Sequence, residues 1–239
     1  MSTKKSNKRK SDPSKSCTTV DESGKQLTKA EPNSNYKKQK GKGGFLTKRT
    51  TEKAMGNSLQ KKYTDKVYIQ KETDKFVLFW QKESPFSQWY PSVFTVDELT
   101  FNCAEQYMMY NKALLSDDKE LATKIMTEID PEIQKDIGKQ AGQLPSFDRK
   151  LWESKCVEVV RQGNIAKFSQ NQRLKTLLLS TNPKCLAEAS PFDTKWGIGL
   201  AANHADACNV EKWKGQNLLG MVLMDVRDEL LKDQLTSKS

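Results

Sequence analysis

The 239-residue sequence holds a single histidine, His204. That scarcity excludes a histidine-rich metal site, and a Ser-His-Asp triad would have to use this one imidazole. Chemistry is therefore expected from carboxylates, lysines or bound groups, with no metal and no organic cofactor demanded. The five cysteines (Cys17, Cys103, Cys156, Cys185 and Cys208) are widely spaced, odd in number and form no Cys-x-x-Cys pair. Such usage argues for free thiols in a reducing compartment and against a disulfide framework or a zinc knuckle. Long apolar runs are missing as well. The longest uncharged apolar stretch, Leu218–Met224, is seven residues, whereas a membrane-spanning helix needs about 18–20. Met1–Lys10 carries five basic residues and lacks the hydrophobic segment of a secretory signal. An intracellular protein, cytoplasmic or nuclear and not membrane-bound, is the expectation.

Charge is abundant but unevenly placed. Met1–Lys62 contains 17 Lys and Arg against 5 Asp and Glu, a net of +12, within a whole-chain net of +10. The remainder is therefore nearly neutral, and the basic character belongs to a separable arm. Residues 1–62 are mostly Lys, Ser, Thr, Asn and Gly with few large apolar residues, Leu27, Phe45 and Leu46 among them. A segment of that kind cannot bury enough surface to offset its ordering entropy, which predicts a disordered basic tail. Lys4–Lys10 suits a nuclear-import signal, a nucleic-acid anchor or a plain solvated tail. Residues 63–239 are read as one folded domain.

Within that domain, order is expected from Phe76. Phe76–Trp80 reads as a short buried strand, and Val93–Val96 with Leu99–Phe101 as a small hairpin. Asn102 with Glu105 three positions on has the form of a capping box opening a buried helix to Leu115. Further helices are expected from Ser116, from Pro131 to Gly138, from Asp148 to Gly163, from Ala166 to Leu179 and from Asn217 to Leu231. The fold class is thus mainly α with a small β component.

Four places carry candidate chemistry. Glu105 and Lys112 are seven residues apart on one helix, so they share a side about 10 Å apart along the axis. Glu105 reads either as the capping residue or as a functional carboxylate. Lys112 reads either as a stem packed on the core or as a functional amine. Asp193, Trp196 and Gly197 lie in a Pro- and Gly-containing loop where backbone can approach a ligand and an indole can stack, or where the ring simply plugs the core. Gly215 to Asn217 opens a helix in the manner of a weak phosphate cradle. Trp152 and Lys167 are the fourth place, with core packing and a solvated lysine as the plainer reading.

Taken together, several stretches occur in one order: Phe79-Trp80, Ser84-Pro85-Phe86-Ser87, Ala104-Glu105-Gln106-Tyr107-Met108, Lys112-Ala113, Leu151-Trp152, Lys167-Phe168, Glu188-Ala189-Ser190-Pro191, Asp193, Trp196-Gly197-Ile198-Gly199 and Trp213 through Gly220. Over about Phe76–Leu231 the chain resembles the NADAR, or YbiA-like, family. The resemblance implies a single mainly helical domain and cleavage of N-glycosidic bonds. The substrates it implies are ADP-ribose on guanine bases or ribosylaminopyrimidine phosphates. It also implies functional roles for Glu105, Lys112, Trp152, Asp193 and Trp196. Glu105 or Asp193 is the expected catalytic carboxylate, with Lys112 as nucleophile in a second route, and substrate contacts are expected from Ser87, Trp152, Lys167, Trp196, Gly197, Gly215 and Asn217. The chain departs from the family at Gln88, where Asn is common, and at Gln106, where His is common. The basic tail favours ADP-ribosyl-guanine in DNA or RNA, since a small metabolite needs no such arm. A metabolic N-glycosidase and a non-catalytic ADP-ribose or nucleic-acid module are the rival expectations.

Overall fold

The computed structural model describes residues 67–116 and 118–236, so the expected disordered tail over residues 1–62 lies outside the described residues. Two short strands open the described part, β1 (Lys71–Glu72) and β2 (Phe76–Phe79). The hairpin strands β3 (Phe94–Val96) and β4 (Leu99–Phe101) follow. Then come α1 (Ala104–Leu114), α2 (Lys119–Thr127), α3 (Pro131–Ala141), α4 (Arg149–Gln170) and α5 (Gln172–Ser180). Strand β5 (Cys185–Glu188), a 3₁₀ turn at Val210–Lys212 and α6 (Leu218–Thr236) complete the order. The mainly helical class with a minor sheet is what the molecule has.

Strand β2 is central in a three-stranded sheet, antiparallel to β1 and parallel to β5, with Phe76 opposite Cys185 and Phe79 opposite Glu188. It is apolar throughout because both of its faces are covered. Val77 and Phe79 point into the main core with Phe86, Phe168, Leu186 and Leu223, while Leu78 points the other way, toward Ala187, Ile198 and Ala207. Helices α4 and α6 pack on each other, and α6 also lies against β5. Full burial of a Leu or Phe side chain contributes roughly 1.5–3 kcal/mol, so this two-sided strand anchors everything around it.

Several expected boundaries move, each for a packing reason. The α1 cap is Cys103, whose sulfur accepts from the Gln106 N–H, and Gln106 Oε1 accepts from the Asn102 N–H at 2.7 Å. The cap thus sits one residue later than Asn102, and the side chain that reaches back past it is that of Gln106, not Glu105. Helix α2 begins at Lys119 under Asp118, not at Ser116, since the Asp118 carboxylate takes the Glu120 and Leu121 N–H groups. Gly138 and Gly163, read as helix ends, lie inside α3 and α4. A Cβ at Gly138 would run into the Met109 side chain and one at Gly163 into the Tyr107 ring. Both glycines are contact points for α1, and α4 continues to Gln170 where Asn171 interrupts it. Strands β1 and β5 are additions to the elements expected from the sequence.

Candidate active site

The site is assembled around α1. Its first turn is pinned to the preceding loop, because the Glu105 N–H donates to the Gln88 carbonyl at 3.0 Å. Gln88 is held in turn by Asn164 of α4 at 3.1 Å. Behind this loop Lys167, fully buried, donates to the Ser87 carbonyl at 2.8 Å and lies against the Tyr90 and Phe168 rings. Lys167 therefore fastens the loop from the core side. Burial drops its ammonium to about 7, with a nearby Cys103 thiol acting in the opposite sense.

In front of the loop is a cavity of about 740 Å³ lined by Ser87, Gln88, Trp89, Glu105, Met108 and Lys112, and by Trp152 of α4. Lys135 and Lys139 of α3 join them, as do Glu188, Asp193, Lys195 and Trp196 from β5 and the loop after it. Trp80, Lys82 and Phe192 also border it. A space of this size suits a nucleotide-like ligand.

Its electrostatics are unusual. Burial pushes the Glu105 carboxyl up to about 7. Lys135, a hydrogen bond from the Trp89 indole and Lys112 oppose that rise, while Asp193 adds to it. The same effect, with the charges of Asp193 and Glu105, lifts Glu188 to about 8. The Glu188 Oε2 is sealed from solvent and meets no hydrogen-bond partner in the protein. Burial and the neighbouring Arg149 lower the Lys112 ammonium below the usual lysine range. Three of the tryptophans carry a lysine over the ring: Lys135 on Trp89 at 5.5 Å, Lys195 on Trp196 at 5.8 Å and Lys112 on Trp152 at 6.0 Å. Trp80 and the highly exposed Phe192 face each other at 6.0 Å. Among the described residues no three His, Cys, Asp or Glu side chains are placed to share a metal ion.

Six of the residues expected from the sequence meet at this cavity: Glu105, Lys112, Asp193, Ser87, Trp152 and Trp196. Four do not line it. Lys167 is behind the Ser87 loop, as described. Gly197 and Gly215 pack backbone against backbone, and a Cβ on Gly215 would overlap the Gly197 carbonyl. Asn217 is spent on the scaffold. Its side chain accepts from the Glu188 N–H at 3.0 Å and donates to the Leu186 carbonyl at 2.9 Å.

The expected phosphate cradle is therefore absent there. The N–H groups of Gly215, Gln216, Asn217, Leu218 and Leu219 donate to carbonyls of Ile198, Thr194, Gly197, Lys195 and Trp196. A helix start with its donors already engaged has none for an anion. Instead that segment clamps the Asp193 loop, whose carboxylate accepts from the Lys195 and Trp196 N–H groups at 2.9 and 2.7 Å.

Glu188, Trp89 and Lys135 line the cavity without having been singled out from the sequence. Glu188 stood within the Glu-Ala-Ser-Pro stretch, and an acidic residue ending an apolar run was the available signal. Nothing local marks Trp89 or Lys135. Of the two departures, Gln106 lies outside the cavity and serves as helix cap, while Gln88 lines it.

The NADAR domain family matches residues 76–231. This chain belongs to the NADAR domain family. It is 38% identical over 180 residues to Protein irg-1 of Caenorhabditis elegans, covering 69% of this chain and 84% of that protein. It is 40% identical over 170 residues to N-glycosidase R617 of Acanthamoeba polyphaga mimivirus, covering 66% of this chain and 98% of the viral one. The NMR structure of the Escherichia coli protein YbiA superposes with a TM-score of 0.56 at 28% identity, covering 69% of this chain and 90% of YbiA. The family thus includes N-glycosidases, which are glycosyl hydrolases, and its YbiA member shares this fold.

Proposed function

We propose that this protein hydrolyses the N-glycosidic bond between ADP-ribose and a guanine base in nucleic acid. The observation that carries the reading is the gathering, in one cavity of about 740 Å³, of carboxyls, lysines and tryptophans. Breaking a base–ribose bond builds positive charge on C1″ and the ring oxygen, which a carboxylate stabilises or relieves by activating water. Glu105, at about 7, is substantially ionised near neutral pH and has the role of base. Asp193 is held in place by two backbone N–H groups and adds negative charge beside it. The indoles offer stacking surfaces to base and adenine, and Lys82, Lys135, Lys139 and Lys195 offer charge to a pyrophosphate.

A lysine route is supported by the lowered Lys112 ammonium. Its neutral amine attacks C1″, the base departs, and water hydrolyses the resulting ring-opened imine. The nucleic-acid partner is supported by the +12 net charge of residues 1–62, which attracts a phosphate backbone.

The test is release of ADP-ribose from an oligonucleotide carrying ADP-ribosyl-guanine, beside Glu105→Gln and Lys112→Ala. Release by the wild type that both substitutions abolish is expected. A folded wild type that frees only the base of a ribosylaminopyrimidine phosphate would move the reading to a metabolic N-glycosidase. Binding of ADP-ribose without any cleavage would leave a binding module.

A further inference from the structure

Bond cleavage at a nucleoside needs two proton movements, and Glu105 accounts for one of them. Water must lose a proton to attack C1″, and the departing nitrogen must gain one to leave as a neutral base. Beside the same cavity stands a second carboxyl, Glu188, one of whose oxygens is shut off from solvent without a hydrogen-bond partner.

Glu188 ends β5, directly opposite Phe79. Its backbone is held on both sides, since its N–H donates to Asn217 Oδ1 at 3.0 Å and its carbonyl accepts from Ile198 N–H at 2.9 Å. Glu188 borders the cavity, and its Oε2 is shut off from solvent and has no partner in the protein. Buried polar atoms without a partner are rare and expensive, and a carboxyl kept only for structure would be hydrogen-bonded. The clamp fixes the backbone at the cavity wall and leaves the carboxyl head without a protein partner at Oε2.

The surrounding charges sort the two glutamates. Glu105 has the Trp89 indole, Lys135 and Lys112 supporting its ionised form. Glu188 has two carboxylates against it, Asp193 and Glu105, and only Lys135 in its favour. Loss of a proton therefore falls first to Glu105, and Glu188 keeps its own to about 8. Two carboxyls driven apart in this way divide into base and acid, with the two titrations coupled.

We propose that Glu188 is the general acid of this site, passing its carboxyl proton to the nitrogen of the departing base. The inference rests on the N-glycosidase reading. The C1″–N bond breaks with its electron pair going to nitrogen, which takes the Glu188 proton. A water oxygen bonds to C1″ and gives one proton to the Glu105 carboxylate. Proton return from Glu105 to Glu188 restores both, so one water is consumed per turnover. If Lys112 attacks in place of water, the same proton is still required at the base.

The experiment uses the full chain and its Glu188→Gln variant on two ADP-ribose conjugates. One carries guanine at C1″, which needs protonation, and the other carries 4-nitrophenol, which leaves as an anion. Glu188→Gln is expected to slow guanine release by about 100-fold or more and nitrophenol release by less than about tenfold. The wild type is expected to slow on guanine above about pH 8, and Glu188→Gln to lack that fall. Equal losses on both conjugates, as a structural role would give, overturn the proposal.

Infrared titration of the carboxyl stretch supplies an independent readout. A protonated-carboxyl band at pH 7 that disappears in Glu188→Gln is expected, and an ionised Glu188 at pH 7 overturns the proposal. A wild type that cleaves the nitrophenyl conjugate but not the guanine one fails the substrate reading alone, and the leaving-group ratio is then taken on a ribosylaminopyrimidine phosphate. A wild type that cleaves none of the three overturns both.

Discussion

Glu105→Gln is expected to stabilise the protein above neutral pH while removing its activity. In the folded state burial moves this carboxyl from 4.5 to about 7. A raised carboxyl contributes stability that is complete below its unfolded value and is lost as pH climbs through the folded one. Ionised Glu105 therefore costs the native state about 3 kcal/mol at high pH, at about 1.4 kcal/mol per pH unit. Gln keeps the shape and an oxygen that can accept from the Trp89 indole, so the charge alone is removed. Urea unfolding of wild type and variant at pH 5 and pH 9 reads the effect. The stability gap between them should widen in favour of the variant by roughly 2–3 kcal/mol between the two conditions. An unchanged gap would refute the view that Glu105 sits in an ion-hostile cavity, and with it the reason for treating it as more than a helix residue.

Other consequences can be measured. Asn217→Ala deletes two hydrogen bonds that tie the start of α6 to β5. A stability loss of about 2–3 kcal/mol is expected in denaturant titrations, with reduced turnover because the Glu188 backbone is released. Borohydride added during turnover should leave a covalent adduct on Lys112 if the amine attacks C1″, and mass spectrometry without such an adduct sinks that route. Removing residues 1–62 should weaken action on an ADP-ribosylated oligonucleotide and spare a modified mononucleoside, with the difference shrinking as salt is raised. Equal loss on both substrates would remove the tail from substrate attraction.

Much of the scaffold was legible because its signals are local. The apolar run Phe76–Phe79, the turn between Val96 and Leu99, and the Asp130-Pro131 helix start each depend on a few adjacent residues, and each appears where those residues predict. The errors arose where a local signal competed with a distant neighbour. Gly138 and Gly163 have the composition of helix ends, but Met109 and Tyr107 need the space their missing side chains leave. Strand β5 has a short, weakly apolar sequence and exists because β2 pairs with it across more than a hundred residues of chain.

The site divides in the same way. Sequence alone placed Glu105 and Lys112 on one helical face, because helical periodicity does that without reference to the rest of the fold. Through the order of its motifs it also pointed to the family and to Asp193, Trp152 and Trp196. Tertiary structure alone decided that Cys103 and Gln106 cap the helix and free Glu105, that Lys167 and Asn217 hold the walls, and that the Gly215–Asn217 amides are already engaged. It also decided that Glu188 shares the cavity with Glu105. Burial and hydrogen-bond saturation depend on which segments meet in space, and a side chain's chemistry depends on both. Residue type sets what a group can do, and only its neighbours determine whether it remains free to do it.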